Sequence, residues 1–235
     1  MFIRWPFDRA SVIAILFHGV PRKRLSGFTS FRPRPGMTLP LILKHRKKKM
    51  TQIAAILRRG GPATEFALAA GLVTIDVVAR LLPHAANFAP LAASALFAGV
   101  ILRSRRLALG VPIAALLASD LLLGGYDWRV MSVVYAGLMV PVLLGTWGRR
   151  MPAMIVPLAV ASSLVFFASS NFAVWAFGAM YPTNAAGLVQ CYAAALPFLH
   201  TTLLGDLFWT AVLFGGWRLA SGAWTVPSLR RSAWA

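Results

Sequence analysis

The sequence has little charge for its length. Only 13% of its 235 residues are Asp, Glu, Lys or Arg, about half the share found in a typical soluble domain. Just six of these residues are acidic, whereas 58% of the chain is hydrophobic. So few charges cannot cover a water-facing surface, and a lipid environment removes the need for one. The composition therefore predicts an all-α, polytopic membrane protein.

The sequence also lacks the motifs of common catalytic and metal sites. Its one cysteine, Cys191, excludes a disulfide framework within the chain and a cysteine-based metal site. No HExxH, GxSxG or Walker A motif occurs, and the four histidines are dispersed. We therefore expect no enzyme, no cofactor, no resident metal and no ATP-driven transport by this chain alone.

The formal net charge of +18 is unevenly distributed. Residues 1–50 hold 12 of the 24 Lys and Arg residues, and the other 12 lie at the ends of apolar runs or in the C-terminal tail. Basic residues in these places orient helices in a membrane and contact anionic lipid. We expect membrane lipid, and no nucleic acid, as a partner of these charges.

Residues 1–59 form a basic N-terminal tail that includes the run from Lys44 to Lys49. Two interpretations stay open for it. The tail is either a disordered segment lying against anionic lipid or a segment that precedes a translation start at Met50. Residues 60–220 form the predicted membrane domain, and residues 221–235 a short cytoplasmic tail.

The membrane domain contains six apolar runs, each near the length of about 17–25 residues that a membrane-spanning helix needs. The predicted spans cover residues 64–82, 87–102, 107–124, 129–148, 152–178 and 197–217. Between the last two spans lies an uncharged segment, residues 179–196, that we expect to be an outer loop. The predicted architecture is a bundle of about six transmembrane helices.

The arginines orient this bundle. Under a six-span arrangement the clusters at residues 58–59, 103–106, 149–150 and 218 all fall on one side. Because loops rich in Lys and Arg face the cytoplasm, both termini are expected there. The expected location is the bacterial inner membrane.

Polar residues inside the apolar runs need an explanation, because each ionisable group at the centre of a membrane helix costs about 2.5–3.5 kcal/mol. Asp76 and Arg80 are four residues apart, so they share a helix face and can form an ion pair. Asp206 is the acid nearest the middle of a span. The other polar and aromatic residues concentrate in the outer half, which predicts a solute pocket open to the outside. The candidate solute-binding residues are Asp76, Arg80, His84, Asn87, Asp120, Asn171, Trp175, Tyr181, Tyr192 and Asp206.

Small residues repeat on the first span. Ala63, Ala67 and Gly71 are spaced by four residues, a pattern that lets membrane helices approach closely. They form a candidate surface for docking a partner subunit.

Several short motifs occur together in residues 60–220: the stretch 83–90 (PHAANFAP), Ser119-Asp120 with Gly124 beyond, Tyr181-Pro182, Gly187-Leu188, Cys191-Tyr192, Pro197-Phe198 and Gly205-Asp206-Leu207. In this order they resemble an uncharacterised bacterial membrane family assigned as substrate-binding (S) components of energy-coupling-factor (ECF) transporters. The resemblance implies a six-helix bundle that captures a vitamin or metal ion from outside. It also implies a separate transmembrane coupling subunit and two ATPase subunits, with the small-residue face as the docking surface.

Three functions remain open from the sequence. The first is the solute-capturing subunit of an ECF-type importer. The second is a self-contained secondary transporter driven by protons through Asp76 or Asp206, and the third is a scaffold whose buried acids hold helices together. The solute is expected to be a cationic or amphipathic organic molecule, or a metal ion held by carboxylates.

Overall fold

The computed structural model describes residues 61–83 and 87–221, which are helical with no strand among them. These residues contain six α-helices: α1 Pro62–Leu81, α2 Leu91–Ile101, α3 Arg105–Leu123, α4 Trp128–Gly148, α5 Ile155–Phe177 and α6 Ala185–Ala220. One turn of 3₁₀ helix, Pro152–Met154, precedes α5. The basic tail, nearly all of the short C-terminal tail and His84 lie outside the described residues.

Five of these helices, all except α2, are long and apolar enough to cross a membrane. Their outer surfaces carry large exposed hydrophobic side chains, such as Phe66, Leu121 and Val189, which water would disfavour and lipid accommodates. The architecture is that of a multi-pass membrane protein, as the composition predicts.

The predicted second span, residues 87–102, is wrong in its length. Helix α2 begins at Leu91 and has 11 residues, so it is about 16 Å long, against about 30 Å for the apolar core of a bilayer. Pro90 precedes it, and the residue before a proline is disfavoured in helical geometry. The chain therefore reaches α2 through a non-helical segment.

The predicted outer loop, residues 179–196, is also wrong beyond its first six residues. Helix α6 begins at Ala185, where the Asn184 side chain accepts a hydrogen bond from the Gly187 backbone N–H at 2.9 Å. This cap and the alanines that follow favour a helix. Helix α6 consequently has 36 residues and contains Pro197 about a third of the way along.

The short helix α2 is the centre of the bundle. It contacts all five other helices, and every residue from Ala92 to Gly99 is buried. A helix that is apolar all round is the kind that a protein interior surrounds completely. The longer helices therefore pack around α2, which occupies their shared core.

Helices α2 and α4 approach each other at two glycines. A Cβ added to Gly99 would overlap the backbone carbonyl of Val142, and one added to Gly145 would overlap the carbonyl of Leu96. Just beyond this contact Arg149 donates from Nε to the Gly99 carbonyl at 2.7 Å and from a second nitrogen to the Leu102 carbonyl. A cation at these carbonyls satisfies the C-terminal end of α2.

One end of the bundle is rich in arginine. Glu65, at the start of α1, accepts a hydrogen bond from the backbone N–H of Ser104, just before α3, at 3.1 Å. Arg149 joins the ends of α4 and α2 in the same region. We call this the arginine-rich end; it holds Arg103, Arg105, Arg106, Arg149, Arg150 and Arg218. The other end, where Leu81, Leu123 and Phe177 terminate α1, α3 and α5, is the arginine-poor end.

The glycine contact generates a prediction. Gly99→Ala and Gly145→Ala should each lower the free energy of unfolding in detergent by about 1–3 kcal/mol, because the new methyl group meets backbone that cannot move aside. Gly71→Ala is the matched control, since a Cβ there meets nothing within 4 Å. Equal stability of all three variants would contradict the packing of α2 on α4.

Candidate functional site

Arg80 and Asp120 form an ion pair between α1 and α3. An Arg80 guanidinium nitrogen lies 2.8 Å from Asp120 Oδ1, and the two side chains are 14% and 5% exposed. A second Arg80 nitrogen donates to Ser119 Oγ at 2.6 Å. The sequence-based pairing of Arg80 with Asp76 is therefore wrong: the guanidinium reaches across to the neighbouring helix, where a carboxylate and a hydroxyl adjoin.

Two tyrosines extend this network. Tyr135, on α4, donates its hydroxyl to Asp120 Oδ2 at 3.0 Å, so that α1, α3 and α4 share one polar cluster. Tyr126 lies in the connection between α3 and α4; burial, and then the nearby charge of Asp120, raises its pKa to about 12. Its hydroxyl stays protonated at physiological pH. Neither tyrosine was predicted, because nothing in the local sequence marks it as a neighbour of Asp120.

Asp76 binds a residue of the central helix. Its Oδ2 accepts a hydrogen bond from Ser94 Oγ, on α2, at 2.5 Å. The residue is fully buried, and its Oδ1 has no hydrogen-bond partner among the described residues. An unpartnered carboxylate oxygen in an apolar interior is costly, so this atom is available to a proton or to a hydrogen-bond donor.

Asp206 repeats this arrangement on another pair of helices. Its Oδ2 accepts a hydrogen bond from Ser163, on α5, at 2.5 Å. The neighbouring Gly205 lies against the non-helical segment before α2, where a Cβ would come within 3.1 Å of the Phe88 Cα. Trp209, one turn further along α6, donates from its indole nitrogen to the Phe88 carbonyl at 3.0 Å.

Four of the remaining predicted residues form a separate group between α5 and α6. The Asn171 amide, the Trp175 indole and the Tyr192 hydroxyl donate to the backbone carbonyls of Phe167, Pro182 and Ala168 at 2.8, 3.0 and 2.6 Å. Tyr181 packs in the same apolar cluster as Trp175. Each of these three polar groups has a backbone partner: Tyr192 joins α6 to α5, Trp175 joins α5 to the connection before α6, and Asn171 bonds within α5.

Asn87 lies apart from that group. It begins the second described stretch with a left-handed backbone, φ 61°, a conformation that asparagine tolerates better than most residues. The predicted site residues thus form an arginine network, two separate aspartate–serine pairs and a helix-joining group. A role of any of them in binding a solute stays a prediction.

The structure has a groove of about 490 Å³ between α1 and α6, on the arginine-poor half of the bundle. Its lining residues are Thr74, Ile75, Val78, Ala79, Leu82, Pro83, Phe88 and Trp209. None of these residues was predicted as a binding residue, because most of them are apolar and the predicted pocket was polar. The available signal was spacing: residues 74, 75, 78, 79 and 82 lie on one face of α1, opposite the inward-facing Asp76.

The predicted docking residues lie on an open face. Ala63, Ala67 and Gly71 are all exposed on α1, and a Cβ on Gly71 would meet nothing within 4 Å. Phe66, on the same helix, is 68% exposed. This surface of α1 is not covered by any helix that the structure describes.

The described residues contain no group of three or more His, Cys, Asp or Glu side chains able to hold a metal ion. Asp76, Asp120 and Asp206 each engage a different neighbour. A carboxylate cage around a metal therefore has no basis in residues 61–83 and 87–221.

The ion pair generates a prediction. In a double-mutant cycle, Arg80→Gln and Asp120→Asn should show a coupling energy of about 0.5–3 kcal/mol, because the groups are in contact and buried. Arg80→Gln with Asp76→Asn is the control cycle and should couple by less than about 0.5 kcal/mol. Unfolding in detergent measures both, and stronger coupling in the control would restore the pairing within α1.

Comparison with known proteins identifies the family of the chain. No curated protein and no solved structure shows significant similarity to the chain. The model of a family of unknown function, DUF6580, matches residues 62–229, which include all six helices. The chain belongs to this family of unknown function.

Proposed function

We propose that this chain is the solute-capturing membrane subunit of a multi-component importer of the ECF type. It binds a small solute from the arginine-poor side and relies on separate coupling and ATPase subunits for energy. The groove between α1 and α6 is the single observation that carries the proposal. Arginine-rich ends face the cytoplasm in most membrane proteins, so the groove belongs to the outer half of the bundle.

The walls of the groove suit a solute with an apolar body. Aliphatic side chains of α1 form one wall, and the aromatic rings of Phe88 and Trp209 form the other. Ligand sites are mostly apolar, with a few polar groups that fix orientation. We assign the groove to an amphipathic organic molecule rather than to a metal ion.

A discontinuity in the helical backbone accompanies the groove. The chain between α1 and α2 is not helical at residues 87–90, and its Phe88 carbonyl is bonded by Trp209. Irregular backbone at membrane depth is tolerated where protein buries it or where it lines a cavity. In many transporters solutes bind at such interruptions.

The partner subunit would dock on the small-residue face of α1. Ala63, Ala67 and Gly71 are exposed there, and small side chains permit close packing of another transmembrane helix. The groove and this face belong to the same helix but lie toward opposite ends of it. Capture of a solute and coupling to an energy source can therefore occupy different parts of α1.

A proton-coupled secondary transporter is the second candidate. Asp76 and Asp206 are buried carboxylates without an ion-pair partner within 4.0 Å among the described residues, and such groups carry protons in many transporters. The first three helices and the last three differ in length, which argues against this candidate. Helices α1 to α3 have 20, 11 and 19 residues, whereas α4 to α6 have 21, 23 and 36, which does not favour an inverted repeat.

The binding site can be tested with purified full-length protein in detergent. A thermal-shift screen against vitamins, nucleobases, amines and divalent metals should give an organic hit, because a ligand of the folded state raises stability by about 2.7 kcal/mol at a hundredfold excess over its Kd. Ala79→Trp fills the groove and should abolish the shift. Ala70→Trp places the same side chain on an exposed part of α1 outside the groove and should preserve it. A hit that survives Ala79→Trp, or a flat screen, would overturn the groove assignment.

Transport separates the two candidates. Proteoliposomes that contain only this chain should take up none of the identified solute under an imposed pH gradient, because no energy-coupling subunit is present. Empty liposomes provide the background rate. Uptake that follows the proton gradient and disappears in Asp206→Asn would replace the importer subunit with the secondary transporter.

A further inference from the structure

A second groove of about 490 Å³ lies at the arginine-rich end, between α3 and α4. At the opposite end these two helices are joined by a short connection and by the Tyr135–Asp120 hydrogen bond. The groove is independent of the one assigned to the solute and uses none of its residues.

The walls of this groove change from apolar to basic along its length. Leu109, Val140, Leu143 and Leu144 line its apolar part, while Arg105 and Arg149 line it at the end of the bundle. Trp147 also lines it and is 69% exposed, as is typical of tryptophans at the boundary between lipid and water. An apolar slot that ends in two guanidinium groups matches a molecule with an acyl chain and an anionic head.

Within the part of the chain that the structure describes, the two guanidinium groups have too little negative charge nearby to balance them. Partial burial lowers the pKa of Arg149, the positive charge of Arg105 lowers it further, and Glu65 raises it. Glu65 is the only acid that the structure describes at this end, and its carboxylate already accepts the Ser104 N–H. Six arginines share the end with that single acid, so an additional anion between Arg105 and Arg149 would relieve their repulsion.

The two arginines and the position of the groove together indicate which class of ligand binds there. Arginine binds phosphate oxygens through several parallel N–H groups, and basic pockets between transmembrane helices at the cytoplasmic side bind anionic lipid heads. We infer that the groove between α3 and α4 is a binding site for an anionic phospholipid, with its phosphate at Arg105 and Arg149 and an acyl chain along Leu143 and Val140.

Native mass spectrometry of the delipidated full chain tests the inference with phosphatidylglycerol and phosphatidylcholine of identical acyl chains. Wild-type protein should bind phosphatidylglycerol at least about tenfold more tightly than phosphatidylcholine. Arg105→Gln should weaken phosphatidylglycerol binding about tenfold, the effect of one charged hydrogen bond, and weaken phosphatidylcholine binding less, because the choline cation already offsets the charge of its phosphate. Arg149 is unsuitable for this test, because it also caps α2.

Arg106→Gln is the matched control. It removes the same charge from the next residue of α3, which is exposed and does not line the groove, so it should change phosphatidylglycerol binding less than about twofold. Equal losses in the two variants would mean that net charge alone attracts the lipid and would overturn the site. Equal binding of the two lipids by wild-type protein would overturn it as well. Glycerol phosphate should not compete at millimolar concentration; full competition would show that a free phosphate, and not a lipid, is the ligand.

Discussion

The close contact between α2 and α4 is the constraint on which the rest of the bundle depends. Helix α2 is too short to cross a membrane and has no polar face, so it is stable only when protein surrounds it. Gly99 and Gly145 allow its backbone to lie against α4, and Arg149 satisfies its last carbonyls. Helix α2 begins beside the buried Pro90, and Asp76 and Trp209 bind the start of α2 and the segment before it through Ser94 and Phe88.

The two halves of the bundle differ in what neutralises their charged side chains. In the arginine-poor half, Arg80 has a carboxylate and a hydroxyl within hydrogen-bond distance, and burial makes that pair costly to break. Within residues 61–83 and 87–221, the hydrogen-bond partners of the Asp76 and Asp206 carboxylates are serine hydroxyls, so each presents a carboxylate that protonation would neutralise. At the arginine-rich end the cations outnumber the single described acid. Lipid and water are the partners that such an end meets in a membrane.

Hydropathy alone located four of the six described helices, α1, α3, α4 and α5, to within a few residues, because a lipid-exposed helix needs an apolar run of defined length. It missed the first 12 residues of α6. It could not show that α2 is short, since the run from Phe88 to Leu102 is uniformly apolar and only Pro90 indicates the interruption. Nor could it predict the partner of Arg80. Spacing along α1 favours Asp76, whereas the structure provides Asp120, and that choice depends on how α1 packs on α3. The apolar groove was missed because its lining is mostly apolar and because Trp209 and Phe88, on one of its walls, are 121 residues apart in sequence.

Pro197 has a mechanical consequence for helix α6. A proline has no N–H to donate to the carbonyl four residues earlier, and its ring crowds that turn, so the helix is least stiff at this point. The part before Pro197 is tied to α5 through Tyr192, and the part after it carries Trp209 at the wall of the solute groove. A bend at Pro197 would change the angle between these two parts of α6. The groove would then change in width, against the resistance of the Asp206–Ser163 hydrogen bond between α6 and α5.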